Sequence, residues 1–224
     1  MEVKMYLPLC EQYHSLAKNF FAQYVDITSS QHSATSDWLE NPEESARLMC
    51  FHIAQLQAAI CSVVFEALSI ESLVNFFGAV TLGDDIFYEK YETKKRYSTL
   101  KKLEVVCKQE FSTPYPGTAE HNSQLRELFE KRNKLVHNKP MQHTIVSSNS
   151  FDDYHSAYRE ISFVFHNLET EMGLYDEVKN NLIACCGTDP FRTLAQSASE
   201  SINQSILEMF THGHSSQCCS ADSQ

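Results

Sequence analysis

An arginine and a histidine in one helical segment have side chains suited to phosphate chemistry. Arg132 and His137 lie in the segment LRELFEKRNKLVHNKP, which covers residues 125–140. A guanidinium binds phosphate oxygens through paired hydrogen bonds, and an imidazole exchanges a proton near neutral pH. At about 100° per residue, Arg132 projects into the middle of an apolar stripe. The stripe consists of Leu125, Leu128, Phe129, Leu135 and Val136.

The position of Arg132 calls for an anion. A guanidinium on an apolar surface is costly unless a carboxylate or a phosphate meets it. A structural partner would be a buried carboxylate, and Glu66 and Glu71 on the longest apolar segment are the candidates. A functional partner would be a substrate phosphate that enters a cleft beside the core. The residues alone leave both partners open.

His137 and Asn133 flank the arginine. On an ideal helix His137 lies about 140° around from Arg132, so a straight helix does not stack the two side chains. His137 falls in the last turn before Pro140, where the negative end of the helix dipole favours the imidazolium. Asn133 precedes it by one helical turn and can orient the ring. The face opposite Arg132 is expected to be solvated and carries Glu127, Glu130, Lys131 and Lys134.

This segment resembles the HEPN family, whose motif is an arginine, four to six residues and a histidine. The motif stands here as Arg132-Asn133-Lys134-Leu135-Val136-His137, and an earlier helical segment at 66–75 fits the wider pattern. The resemblance covers about residues 42–172. It implies a helical bundle that dimerises and brings two motif helices around one cleft. Many members are metal-independent endoribonucleases, often toxins or antiviral effectors, and others are non-catalytic binding or dimerisation modules.

The roles of the motif residues follow from that resemblance. RNA carries its own nucleophile, the 2′-hydroxyl, so cleavage needs neither a metal nor a cofactor, and we expect none. His137 would act as general acid or base, and Arg132 would stabilise the charge that builds on the phosphorane. Asn133 would position the histidine or the substrate. DNA lacks the 2′-hydroxyl and should be inert.

The positive charge of the chain is concentrated around this motif. Residues 89–139 hold twelve of the eighteen Lys and Arg but only seven of the twenty-nine acids, in a chain of net charge -11. Such asymmetry indicates a local anion-binding face on an acidic body. An alternative is a solvated helix face that pairs with the acidic remainder. The side chains proposed to line an RNA path are Arg96, Lys101, Lys102 and Lys134.

The elements that position these residues are helical, because helical periodicity runs through almost the whole chain. We predict an all-α fold, an HEPN-like helical bundle with an extra N-terminal helix and a C-terminal helical extension. A polar loop is expected at 28–36, and Asn41-Pro42-Glu43-Glu44 begins a long helix that Gly78 and Gly83 bracket at its end. Further helices are predicted from Asn122 to Asn138, from Ser150 through Met172, and from Thr188 onward.

The expected domain is single and spans residues 1–212, with an HEPN-like core at about 42–172 and a disordered tail at 213–224. The first eighteen residues lack a basic start followed by an apolar run, so we expect no signal peptide. The uncharged stretch 48–65 contains polar residues and is interpreted as a buried helix. Eight cysteines without a CxxC pair favour reduced thiols. We therefore expect a cytoplasmic protein with no membrane partner.

Three functions remain as hypotheses. The first is an endoribonuclease that acts on RNA as a homodimer, with an antitoxin or regulatory protein as a further partner. The second is a non-catalytic helical interaction module in which Arg132 forms a structural ion pair. The third is a regulatory helical bundle whose long central helix docks a partner.

Overall fold

The described part of the chain is mostly helical. The computed structural model describes residues 9–31, 42–93, 97–137 and 161–192, and no strand occurs among them, which confirms the all-α fold class. The chain divides into two compact units, Met1–Cys185 and Cys186–Gln224. The helices below belong to the first unit, apart from the last residue of the final helix. The predicted tail at 213–224 lies outside the described residues.

Two long helices, α1 (Leu9–Gln31) and α2 (Pro42–Leu82), pack against each other in antiparallel directions. Near one end of the pair, Gln55 Nε2 donates to Thr28 Oγ1 at 2.9 Å. Farther along, the Phe65 ring stacks on Tyr13 and Phe20, with ring centroids 6.1 and 5.7 Å away. These contacts half-bury the aromatic side of α1 against α2.

The end of α1 differs from the prediction. Residues 28–31 were expected to begin a loop, but they continue the helix to Gln31. Thr28 Oγ1 donates to the Tyr24 carbonyl at 2.7 Å, and Ser29 and Ser30 make the same bond one turn back, each at 2.8 Å. A hydroxyl that donates to a carbonyl of the preceding turn has a hydrogen-bond partner within the helix. The polar residues at the end of α1 therefore continue the helix.

The bounds of α2 agree with its capping signals. Pro42 is its first residue, and Glu43 and Glu44 lie in the first turn, where the helix dipole favours acids. Gly83 follows the last residue with φ 85°, and its N–H donates to the Ala79 carbonyl at 2.9 Å. A left-handed glycine is a common helix terminator because it has no Cβ to clash. Among the described residues, α2 from Ala46 to Leu82 is long and apolar enough to cross a membrane by length and composition.

A short helix α3 (Asp84–Phe87), a π-helical turn (Tyr88–Thr93) and α4 (Thr99–Glu110) fold back onto the end of α2. Ser98 caps α4, where its side chain accepts a bond from the Lys101 N–H. Phe87, Tyr91 and Val106 form a buried cluster between these elements. The Phe87 ring lies directly over Gly78 of α2, where a Cβ would be 2.0 Å from Phe87 Cε2.

Replacing Gly78 by alanine is expected to lower the free energy of unfolding by about 1–3 kcal/mol, because the new methyl group occupies the space of the Phe87 ring. The higher helix propensity of alanine, about 1 kcal/mol, offsets part of that loss. Chemical denaturation monitored by circular dichroism measures the difference. Gly173→Ala is the matched control, since its Cβ would meet only the Thr170 carbonyl at 3.6 Å. An unchanged stability in Gly78→Ala would contradict the close contact.

From residue 161 to 172 the chain departs from the helix predicted from Ser150 through Met172. After α5 (Ala119–His137), the described residues form a 3₁₀ turn (Ser162–Phe165), a four-residue helix α6 (Leu168–Glu171) and α7 (Leu174–Cys186). Asn167, with φ 55°, breaks the helix in a left-handed conformation that asparagine tolerates. The prediction of one helix through Met172 is therefore wrong in this part, and α7 was not predicted.

A buried polar cluster joins α1, α2 and α7. Glu66 is fully buried, its Oε2 lies 2.8 Å from His14 Nδ1, and its Oε1 accepts the Tyr175 N–H at 3.1 Å. The His14 ring also stacks on the Tyr175 ring, with centroids 4.3 Å apart. Burial raises the pKa of the Glu66 carboxyl, and the contact with His14 opposes that rise. The cluster fixes the relative register of these three helices.

Candidate active site

Helix α5 carries the arginine to the side of α2. Arg132 Nη2 donates to Glu71 Oε2 in an ion pair, and Arg132 Nη1 donates to Asn133 Oδ1 at 3.0 Å. The carboxylate partner is Glu71, because Glu66 is already bound by His14 and by the Tyr175 N–H. The structure thus supplies the anion that the position of Arg132 calls for.

The Arg132–Glu71 pair lies at the edge of the core and not inside it. The side chain of Arg132 is 19% exposed and that of Glu71 is 33% exposed. A guanidinium carries five N–H donors, and the two bonds to Glu71 and Asn133 engage two of them. Arg132 is therefore held in place, yet part of it remains open to a ligand.

His137 is the last residue of α5, and its side chain is exposed. Asn133 is exposed too, but its amide oxygen is bonded to Arg132, so that atom is not available to orient the imidazole. The structure brings Arg132 and Asn133 together. Helix α5 continues to His137, so at about 100° per residue the histidine lies about 140° around the helix from Arg132.

Lys131 was expected on the solvated face, and this prediction is wrong. Its side chain is 5% exposed, and its Nζ lies 2.7 Å from Glu171 Oε1 and 3.4 Å from Glu127 Oε1. The same Nζ also donates to the His166 carbonyl. The buried face of α5 is rotated toward Lys131, so that Val136, expected in the apolar stripe, is 55% exposed instead. The buried residues of α5 are His121, Leu125, Leu128 and Lys131.

The Lys131–Glu171 pair was missed by the sequence analysis. Burial raises the pKa of the Glu171 carboxyl to about 7, while the Lys131 ammonium opposes that rise. Lys131 Nζ donates to the His166 carbonyl. The Glu127 carboxylate accepts bonds from the Asn167 side-chain amide at 3.2 and 3.3 Å. These contacts hold the helix break beside α5. The available signal was spacing, because His121, Leu125, Leu128 and Lys131 follow one another at intervals of four, three and three residues and so lie along one side of the helix.

The cations proposed for an RNA path have different surroundings. Lys101 is exposed and pairs with Glu104 at 2.9 Å, and exposed Lys134 places its Nζ 5.2 Å from the Phe163 ring centroid. Lys102 is 2% exposed and donates to Asn75 Oδ1 at 3.1 Å, which places it inside the fold and not on an open surface. Arg96 lies outside the described residues.

Within the described ranges, no group of three or more His, Cys, Asp or Glu side chains is placed to hold a metal ion. The six cysteines in those ranges form no disulfide with one another. No family model, curated protein sequence or solved structure matches this chain.

Proposed function

We propose that this protein is a metal-independent endoribonuclease of the HEPN type that acts as a homodimer in the cytoplasm. The observation that carries the proposal is the state of Arg132, which is fixed by Glu71 and Asn133 but still 19% exposed. A preorganised donor that remains accessible can bind developing negative charge without first reorganising. His137, on the same helix and exposed, supplies an imidazole, a side chain that can accept or donate a proton.

The reaction follows from these two groups and the substrate. The 2′-hydroxyl loses its proton to a base and forms a bond to the adjacent phosphorus, while the bond from phosphorus to the 5′-oxygen breaks. The leaving oxygen takes a proton, so the products are a 2′,3′-cyclic phosphate and a 5′-hydroxyl. His137 serves one of the two proton transfers. Arg132 donates to the nonbridging phosphate oxygens, and Asn133 holds the guanidinium in position.

The proposal is tested by incubating the purified full chain with a mixed pool of cellular RNA in EDTA. We expect cleavage that leaves 2′,3′-cyclic phosphate ends, detected by the resistance of those ends to a phosphatase that removes only 3′-monophosphates. A matched pair of synthetic oligonucleotides at a mapped cleavage site, one ribose and one 2′-deoxyribose at that position, is the control. Equal cleavage of both, or loss of all cleavage in EDTA, would contradict the mechanism.

A second function is favoured by one specific observation, the ion pair between Arg132 and Glu71. The Glu71 carboxylate neutralises part of the positive charge with which Arg132 would bind a phosphate. The pair therefore also fits a non-catalytic helical interaction module. In that case Arg132 joins α5 to α2, and RNA is not cleaved. In the nuclease case the cellular setting is that of a toxin or antiviral effector, controlled by an antitoxin or regulatory protein.

A further inference from the structure

Two protons move in the proposed reaction, and His137 accounts for one of them. The 2′-hydroxyl loses a proton as its oxygen attacks the phosphorus, and the 5′-oxygen gains a proton as it leaves. A single imidazole is either neutral and accepts a proton or charged and donates one. A second group that transfers protons is therefore needed close to the phosphate.

Glu71 is the acid in contact with the group that would bind the phosphate. Its Oε2 accepts a hydrogen bond from Arg132 Nη2, and its side chain is 33% exposed. Within the described part of the chain, the Glu71 carboxylate makes no second hydrogen bond. Two other acids of this region, Glu66 and Glu171, are 0% and 1% exposed, so a substrate cannot reach them. Glu71 combines contact with the arginine and access from solvent.

A phosphate on the open side of Arg132 lies next to Glu71. The guanidinium is planar and holds its five N–H donors in a fixed fork, so acceptors on adjacent donors are close neighbours. In a reactive arrangement the 2′-oxygen lies about 3–3.5 Å from the phosphorus that carries the nonbridging oxygens. A phosphate bound by the remaining donors of Arg132 therefore brings its 2′-hydroxyl within reach of the Glu71 carboxylate.

The position of His137 fits the opposite proton transfer. Five residues separate it from Arg132, which is about 7.5 Å along α5 and about 140° around it. In an in-line displacement the attacking and leaving oxygens lie on opposite sides of the phosphorus. The base and the acid must then stand apart. Glu71 touches the guanidinium and His137 lies away from it, so the two side chains suit different oxygens.

We propose that Glu71 is the general base of the cleavage reaction and that His137 is its general acid. The Glu71 carboxylate takes the proton of the 2′-hydroxyl while the 2′-oxygen bonds to the phosphorus. The bond from phosphorus to the 5′-oxygen breaks, and the His137 imidazolium gives that oxygen its proton. A neutral carboxyl and a neutral imidazole remain, and both return to their starting forms by proton exchange with water. The inference rests on the proposed function, because it assigns the two proton transfers of that reaction.

The assignment gives the ion pair between Arg132 and Glu71 a part in catalysis. Before the reaction, the carboxylate and the phosphate share the positive charge of the guanidinium. Once Glu71 has taken the proton it is neutral, and it competes less for Arg132 just as negative charge builds on the phosphorane. Arg132 then binds the transition state more strongly than the substrate, which is the condition for lowering the barrier.

A substrate with a sulfur leaving group isolates the base. The probe is an RNA oligonucleotide that carries sulfur in place of the bridging 5′-oxygen at a mapped cleavage site. Thiols have a pKa of about 8.5, far below that of an alcohol, so the sulfur leaves as a thiolate without taking a proton. The pH dependence of cleavage then reports the base alone. For the wild type in EDTA we expect a rate that rises with pH and reaches a plateau.

Three variants separate the roles. Glu71→Gln keeps an oxygen that can accept from Arg132 but has no basic carboxylate. We expect it to lower the rate about 10²–10⁴-fold at neutral pH and to abolish the plateau. His137→Ala should cleave the sulfur substrate at nearly the wild-type rate with the plateau intact, although it cleaves all-oxygen RNA slowly. Glu130→Gln, at an exposed acid of α5, is the matched control. Unchanged melting temperatures show that the variants fold.

Several results would overturn the assignment while the nuclease itself stands. A plateau that persists in Glu71→Gln contradicts a base at Glu71, and if the rate has fallen, Glu71 only positions Arg132. A plateau that disappears in His137→Ala shows that histidine is the base, as when the histidines of two copies serve both transfers. This second result does not depend on whether Glu71→Gln folds. A wild type that leaves both substrates intact contradicts the proposed function, and the assignment with it.

Discussion

Replacing Arg132 by alanine is expected to lower the rate of RNA cleavage at least about 10²–10³-fold, because the phosphorane loses a fixed hydrogen-bond donor. Replacing His137 by alanine is expected to cost about 10²–10⁴-fold, the usual contribution of a positioned acid or base. The initial cleavage rate of an end-labelled RNA in EDTA measures both effects. Arg132→Lys should recover little activity, since an ammonium cannot reproduce the planar fork of the guanidinium.

The matched control is Arg126→Ala, which removes an exposed arginine from the same helix. It should cleave RNA at a rate close to that of the wild type. Thermal unfolding of Arg132→Ala then separates the two functions. A melting temperature near that of the wild type together with lost cleavage supports the nuclease. Retained cleavage, or a large loss of stability when Glu71 loses its cation, supports the structural role of Arg132.

Replacing Lys131 by methionine is expected to lower the free energy of unfolding by about 3–5 kcal/mol, because Glu171 would be left as a buried carboxylate without its cation. The two side chains are 5% and 1% exposed, so solvent cannot take the place of the ammonium. The carbonyl of His166 would lose its donor as well. Denaturation in urea measures the effect, and Lys108→Met on α4 is the control at an exposed lysine.

A double replacement distinguishes the ion pair from simple packing. Lys131→Met/Glu171→Leu removes both charges together, and well-packed apolar residues often replace a buried pair at little cost. The double variant should therefore recover most of the stability that Lys131→Met loses. If it is as unstable as the single variant, the loss comes from packing or from the His166 carbonyl and not from the unpaired acid.

The sequence predicted the elements whose signals are local. Pro42 with Glu43 and Glu44 predicted the start of α2, and Gly83 predicted its end, because capping depends on residues within one helical turn. The need for an anion at Arg132 was also predicted from the apolar stripe. The sequence could not decide whether Glu66 or Glu71 is the partner of Arg132. That depends on how α5 lies along α2 and on the contact that Glu66 already makes with His14.

The errors occurred where tertiary contacts override helical periodicity. Asn167 interrupts the predicted helix, because two side chains of α5, which is distant in sequence, bind this segment. Lys131 donates to the His166 carbonyl, and Glu127 accepts from the Asn167 side-chain amide. Lys131 was assigned to the solvated face because the apolar stripe of α5 was expected to be centred on Arg132. The buried face of α5 is instead rotated toward Lys131. Lys102 was grouped with the exposed Lys101, although it bonds to Asn75 on α2.

The contact between His14 and Glu66 has a consequence for the limits of the folding unit. The resemblance to the HEPN family begins at about residue 42, which suggests that α1 is an accessory. Yet the imidazole of α1 is a partner of an acid that is fully buried in α2. A fragment that starts at residue 42 would hold that acid in its interior with one neighbour fewer. The first helix is thus an integral part of the core, and we expect a fragment that lacks it to be less stable than the full chain.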